Sequence, residues 1–371
     1  MAGTLVAGLV LVTVLATGAT VTLREWASTV AGYLPASFGD WATVTLLSAT
    51  LILVLELVEL PSVFYQDFLL EHRYGLSTQS SGQWLADQAK GVALGTLIAV
   101  AGANVVFLTL RSWPDRWWVI STAAFTVAVA GLARLAPLVL LPMFYRFAPI
   151  ERPELVARLL LLSAQARTDV VGVFEWVVSG HTKKANAALA GMGRTRRILL
   201  ADTLLADYSE DEIEVILAHE LAHHVHKDVW RGIALQTVVL AGGFYLAALV
   251  LRTMVEPLGL WGVADPAGLP VLLIVGGVWS GVTLPLANAL SRAQERAADQ
   301  YALAATGNVE AFISAMKRIS QQNLAEEYPS PMVRWLFYSH PPIRERIEAA
   351  RAFEIGGSSC CASSPSASQP Y

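Results

Sequence analysis

The sequence predicts an all-α polytopic membrane protein with about six transmembrane helices, to which a small α+β domain is joined. Three observations carry that expectation. The 371-residue chain is 54% hydrophobic and only 15% charged, against about 25% charged in ordinary soluble domains. Several apolar runs approach the ~20 residues that a bilayer requires. The stretches 142–229 and 291–351 hold ten and eight of the 26 Lys and Arg, so the polar chemistry is concentrated outside those runs.

The first apolar run, residues 4–23, reads as a retained span rather than a secretory signal, because no Lys or Arg precedes it and it is long for a signal core. Residues 41–60 form a second span, with Glu56 and Glu59 near its end. Pro61 to Lys90 is rich in charge and aromatics and is expected to be a solvated loop with amphipathic helices at the interface. Residues 91–110 give a third span, in which Gly91, Gly95 and Gly102 permit close helix approach. An interfacial turn from Arg111 to Trp118 leads to a fourth span, residues 118–141.

From Met143 the chain turns soluble in character. Pro153 to Arg167 has helical periodicity, and Val170–Val178 and Arg197–Leu200 look like strands with a small-residue, extended segment, Asn186–Gly191, between them. Ser209 with Glu212 three residues on makes a capping box for a helix free of Gly and Pro from Asp211 to Trp230. Two further apolar segments follow, 231–251 and 269–290. The second continues straight into a helix bearing Glu295 and Asp299. Asn308–Gln322 is amphipathic, and His340-Pro341-Pro342 opens a last short helix through Arg351. The expected organisation is therefore 1–141, membrane helices and interfacial loop; 142–230, first part of a catalytic domain; 231–290, a membrane hairpin; 291–353, its second part; and 354–371, a disordered tail rich in Ser, Gly, Ala and Pro. Because four spans precede the first basic block and two separate the blocks, both lie on one side, which the positive-inside rule makes the cytoplasm.

Composition narrows the function. A net charge of −4 and the absence of a basic cluster interleaved with aromatics argue against a nucleic-acid partner. The only cysteines, Cys360 and Cys361, are adjacent and offer neither a disulfide framework nor a C-x-x-C metal pair. Any metal would rest on His and carboxylate.

The capped helix contains His219-Glu220-Leu221-Ala222-His223, an H-E-x-x-H. At 3.6 residues per turn His219 and His223 share one face, where two neutral imidazoles can ligate one Zn²⁺ while Glu220 reaches a metal-activated water. The small domain is thus expected to be a zincin-type catalytic domain. A plainer reading, a solvated helix that happens to carry histidines, fits poorly with five of the seven histidines falling at 219, 223, 224, 226 and 340. His224 and His226 lie off the ligand face and read as surface residues. A catalytic zinc needs a third protein ligand, and Glu295 is the best candidate, with Asp299 one turn on as a carboxylate able to hold a ligand imidazole. By spacing alone, a surface acidic pair is an equal explanation.

The run Ser291-Arg292-Ala293-Gln294-Glu295-Arg296-Ala297-Ala298-Asp299 following that motif resembles the type 1 CAAX prenyl protease family of integral membrane zinc peptidases, which is related to the HtpX-type proteases. So do Glu71-His72-Arg73-Tyr74-Gly75, Ala185-Asn186-Ala187, Arg197 to Leu205, and Tyr338 to Arg346. The similarity runs from about residue 40 to 350. It implies that His219, His223 and Glu295 bind one Zn²⁺ and that Glu220 activates the water. It further implies that Asn186 holds the substrate backbone, that His340 donates to the tetrahedral oxyanion, and that Arg346 lies near the site. Lys184 departs from the family, whose members carry His there. The resulting expectation is a multi-pass zinc metalloendopeptidase of the bacterial cell membrane with its site facing the cytoplasm. Its partners would be the bilayer and a peptide or protein substrate, lipidated or membrane-associated. Two rivals are an HtpX-like quality-control protease and, in another class, a non-catalytic scaffold or transporter with a structural zinc site.

Overall fold

The computed structural model describes residues 2–361 apart from Met192, Ala325 and Glu327. Among these, five helices are long and apolar enough to cross a membrane: Ala36–Arg73, Ser81–Ser112, Trp117–Phe144, Asp228–Met254 and Pro266–Thr306. The number becomes six if a bent pair at the start is one span. This agrees with the expected number, although the first span is not straight. α1 (Ala2–Ala16) and α2 (Ala19–Ala31) meet at 76°, because Gly18 adopts φ 71°, a left-handed conformation that ends a helix and that Gly takes without strain.

A second departure concerns Pro61 to Lys90. α3 (Ala36–Val63) does not stop at Pro61 but runs through a π-helical turn, Phe64–Leu70, into α4 (Glu71–Arg73). Proline removes one i→i−4 bond, and a wider turn next to it absorbs the mismatch without ending the helix. The aromatics along this turn pack together: Phe64 and Phe68 stack at 5.2 Å, and Trp84 meets Phe64 edge-on at 5.1 Å. α5 (Ser81–Ser112) then begins ten residues before the expected third span, because Ser80 and Gln83 form a capping box. The loop shrinks to residues 74–80. After a tight turn come α6 (Trp117–Leu135), another π turn at Ala136–Leu140 and α7 (Leu141–Phe144).

The remainder is β1 (Arg146–Pro149), α8 (Pro153–Gln165), β2 (Val173–Val177), β3 (Ala187–Ala190), β4 (Arg197–Ala201), α9 (Asp202–Asp207), α10 (Glu210–Val225), α11 (Asp228–Met254), α12 (Leu269–Thr306), α13 (Val309–Gln322), α14 (Pro331–Phe337) and α15 (Ile343–Cys361). β1 and α14 are short, and neither is expected from periodicity. α15 extends ten residues past Arg351, so residues 354–361 are helical where a disordered tail was expected. Residues 362–371, the rest of that tail, lie outside the described residues.

The chain divides into two units, residues 1–132 with 232–283, and residues 133–231 with 284–371. In the first, Leu47, Phe107, Leu110 and Trp117 are almost fully buried, whereas Leu97, Val127 and Val278 are 66%, 72% and 64% exposed. Apolar residues facing outward along a helix are what lipid, not water, accommodates. Polar pairs tie these helices: Asn104 Nδ2 donates to Thr45 Oγ1 (3.0 Å), and the hydroxyls of Thr109 and Ser121 meet at 2.7 Å. Arg24 pairs with buried Asp265 and lies 3.8 Å over the Trp261 ring.

The second unit is built on a four-stranded sheet, order β1-β2-β4-β3, antiparallel except for β2 with β4. β3 is an edge strand. α10 is buried almost all round, with Ile213, Leu217 and Leu221 at i, i+4, i+8 essentially inaccessible. Its start is the expected capping box: Ser209 Oγ accepts from Glu212 N and Glu212 Oε2 accepts from Ser209 N. Glu212 is locked further by Ser314 Oγ (2.6 Å) and Arg318. The helix that carries the H-E-x-x-H is thus held in axial position by polar contacts and in rotation by the core.

Close approach of α11 and α12 depends on glycine at one point. A Cβ on Gly242 would sit 2.7 Å from the Trp279 ring, whose Nε1 is held by Val239 O at 2.8 Å, whereas Gly277 faces open space. Gly242→Ala should therefore cost about 1–3 kcal/mol as overpacking, read as a lowered melting temperature in detergent. Gly277→Ala should be neutral or slightly stabilising on helix propensity. Equal melting of the two variants would contradict this packing.

Candidate metal centre

α10 presents His219 and His223 one turn apart, with ring centroids 5.0 Å apart and planes at 86°. α12 supplies Glu295, a buried carboxylate, from the other side. His219 Nε2 lies 3.3 Å from Glu295 Oε2, and His223 Nε2 lies 3.5 Å from Oε1. One ligand atom from each of the three lies within 4.8 Å of the others, a set able to hold a metal ion. Each ring is steadied at its far nitrogen. Asp299 Oδ1 lies 2.9 Å from His219 Nδ1, and Asp228 Oδ2 lies 2.9 Å from His223 Nδ1. A carboxylate at Nδ1 fixes the tautomer and turns Nε2 toward the metal position. Asp299 is in turn gripped by Arg346 through both oxygens, 2.8 and 2.5 Å, and Arg231 approaches Asp228 at 3.3 Å.

The electrostatics ask for positive charge at this point. Burial depresses the His219 imidazole, but Asp299 and Glu295 outweigh it and carry it up to about 9. Burial lowers His223 as well, and contact with Glu295 and Asp228 reverses the effect. Burial pushes the Glu220 carboxyl above the usual carboxylate range, against the opposing pull of the two histidines. Glu295 Oε2 is buried and makes no hydrogen bond of acceptable geometry. An orphaned carboxylate oxygen is costly unless a cation meets it. Two imidazole nitrogens plus that carboxylate are the donor set of a catalytic zinc site, so the residues present fit such an ion.

A cleft of about 530 Å³ opens onto this cluster. Asn186, Glu220, His340 and Arg346 line it together with the three candidate ligands, and Leu204, Ile216 and Met316 form an apolar wall. Asn186 directly precedes edge strand β3 and is tied to the end of β4 through its carbonyl, which accepts from Ala201 N at 2.9 Å. His340 Nε2 lies 3.3 Å from Glu295 Oε1, and its Nδ1 lies 2.9 Å from Ser339 Oγ. All eight residues singled out in the sequence therefore come together, Asp299 standing behind His219. His224 and His226 stay out of the cluster but are half-buried, His226 packing edge-on against Tyr301 at 6.0 Å. Asp228 was not foreseen. It lies five residues past His223 beyond the helix end, reached through Lys227 in a left-handed conformation (φ 60°), and no helical spacing rule points to it.

Fold and site together define a membrane-embedded metalloprotease. Residues 149–354 match the model of Peptidase family M48, and residues 1–146 match one described as CAAX prenyl protease N-terminal, five membrane helices; the chain belongs to Peptidase family M48. It is 31% identical over 285 residues to the uncharacterized metalloprotease YhfN of Bacillus subtilis, covering 76% of this chain and 67% of that one. It is 26% identical over 315 residues to CAAX prenyl protease 1 of Saccharomyces cerevisiae, covering 79% and 68%. The crystal structure of S. mikatae Ste24p shares the fold, with a TM-score of 0.78 at 22% identity over 89% of this chain and 80% of that one. The chain is an integral, multi-pass membrane protein that acts on peptide or protein substrates, and membership of the family implies a metal.

Asp228→Ala should weaken metal binding about 10- to 100-fold, the usual cost of losing a carboxylate behind a ligating histidine, as read by competition with a chelator. The same affinity as wild type would show that His223 needs no such support.

Proposed function

We propose that the chain is a zinc metalloendopeptidase of the bacterial cell membrane, with its centre at His219, Glu220, His223 and Glu295 facing the cytoplasm. The observation that carries this reading is the buried Glu295 carboxylate, set 3.3 and 3.5 Å from the Nε2 atoms of the two motif histidines, with Oε2 making no hydrogen bond. His219, His223 and Glu295 would hold one Zn²⁺ per chain, which when bound supplies a Lewis acid toward the scissile carbonyl. The distribution of Lys and Arg supports the cytoplasmic orientation, and the likeness to the B. subtilis relative supports the bacterial setting.

The chain's own residues then divide the work. Glu220 takes a proton from the attacking water as the new C–O bond forms. It passes that proton to the amine nitrogen as the C–N bond breaks. A carboxyl raised by burial serves both transfers, since it binds the proton firmly enough to accept it and weakly enough to release it. His340 donates from Nε2 to the carbonyl oxygen as negative charge develops there. Asn186 holds the substrate backbone, and edge strand β3 offers an extended peptide a row of main-chain partners. Arg346 keeps Asp299 on His219.

The substrate reading is a C-terminal peptide carrying a lipid group. It is supported by the likeness of residues 1–146 to the CAAX prenyl protease N-terminal model and by the yeast relative's name. An HtpX-like role, cutting unfolded membrane proteins, uses the same chemistry. Cleavage of a farnesylated C-terminal peptide in preference to an unstructured membrane protein is the expected outcome; the reverse preference assigns the quality-control role.

Glu220→Gln should retain zinc and lose peptide cleavage by several orders of magnitude, while Glu295→Ala should lose zinc. Undiminished cleavage by Glu220→Gln, or normal zinc content in Glu295→Ala, refutes the corresponding assignment.

A further inference from the structure

One face of α12 carries four polar side chains at successive turns: Asn288, Arg292, Glu295 and Asp299, which are 8%, 7%, 6% and 4% exposed. Spacings of four, three and four residues keep them in one stripe. Glu295 and Asp299 belong to the metal cluster. Asn288 and Arg292 do not line the cleft, yet a buried amide and a buried guanidinium are costly unless fully partnered.

Their partners are all main-chain carbonyls of a single segment. Asn288 Nδ2 donates to Leu336 O at 2.6 Å, and Arg292 Nη1 donates to Tyr338 O at 2.5 Å and to Arg334 O at 3.3 Å. Those oxygens belong to the last turn of α14 and the residue just after it, where a helix leaves its carbonyls unpaired and its negative dipole end exposed. α12 thus closes the open end of α14 with its own side chains.

Two residues beyond Tyr338 stands His340. Its side chain is 61% exposed, and its polar contacts are to Ser339 and Glu295, so side-chain packing does little to fix it. Pro341 and Pro342 follow, without N–H groups but both buried, and Pro342 O accepts from Arg346 N at 3.3 Å. The imidazole is therefore placed by its main chain, held upstream by the pinned backbone at 334–338 and downstream by the two buried prolines.

We infer that Asn288 and Arg292 are positioning residues for His340. They pin the end of α14 to the same helix that bears Glu295 and so hold the imidazole against that carboxylate. The inference rests on the role of His340 in the reading above and extends the working part of α12 two turns toward its N-terminal side.

The test is a double-mutant cycle on the full-length protein in detergent or vesicles, with kcat, KM, zinc content and backbone hydrogen exchange measured together. His340→Ala should lower kcat by about 10²–10³-fold, the cost of one oxyanion donor. Arg292→Ala should lower kcat by up to about 10²-fold, the cost of a displacement near 1 Å. Its KM and zinc content should stay close to wild type, and exchange should rise in 331–342 but not in 210–225. Arg292→Lys, which still offers a cationic donor, should recover part of the rate. The combined Arg292→Ala, His340→Ala variant should be no slower than His340→Ala alone, because residues acting through one group are not additive. Multiplying losses in the double variant, or loss of zinc in Arg292→Ala, would overturn the inference while leaving His340 in its role. A wild-type rate for His340→Ala would instead remove that role and the inference with it. If Arg292→Ala fails to fold, Asn288→Ala enters the same cycle with the same criteria.

Discussion

Two imidazoles can share one small volume with a carboxylate only if each ring is held from behind, and most of the second unit is arranged to do this. Asp299 and Asp228 occupy the two Nδ1 positions from two different helices, one after α10 and one far downstream. Both are buried, so each needs a cationic or donor partner of its own. Arg346 supplies it for Asp299 in a two-pronged contact; Asp228 has Arg231 on the next turn. Around the cluster four carboxylates, Glu220, Asp228, Glu295 and Asp299, face two guanidinium groups. With the imidazoles neutral, the remaining imbalance is that of one divalent cation. The elevated His219 is the same demand met by protons instead.

How much of this could be read from the sequence depends on how local each signal was. The motif helix was fully legible: the capping box, the absence of Gly and Pro and the i, i+4 histidines are all short-range. The spans were legible as apolar runs, but their ends were not. Charge and aromatics between Pro61 and Lys90 read as a solvated loop with separate amphipathic helices, yet α3 and α5 themselves continue through much of that stretch, because a polar residue ends a membrane span without ending a helix. Gly18 breaks the first span at a position where no charged residue marks it. β1, with four residues and a terminal proline, carries too short a pattern to register.

The site shows the same division. Glu295 with Asp299 was no better than an acidic surface pair by spacing, and resemblance had to separate the two. Asp228 and Arg292 were hidden for different physical reasons. Asp228 reaches His223 around a corner that only a left-handed Lys227 makes, so its relation to the ligand is not periodic. Arg292 acts on main-chain carbonyls, which have no sequence identity at all, so no pattern of residue types could have marked its partners.

α12 is where these threads meet. Its first half, Leu269 to Leu286, is apolar. Beyond Pro285, which removes one helical hydrogen bond, the stripe Asn288, Arg292, Glu295 and Asp299 begins. A metal site assembled from separate chain segments is only as well defined as the least rigid of them. Placing the candidate third ligand, the support for His219 and the anchor for α14 on one continuous helix reduces three independent placements to one. The remaining freedom is the rotation of that helix against α10. Rotation of α12 by one residue, 100°, would carry all four side chains off their partners at once. The buried polar stripe therefore selects a single register much as a polar residue does in a coiled-coil seam, and this chain spends buried charge on the accuracy of the site at the expense of a more apolar core.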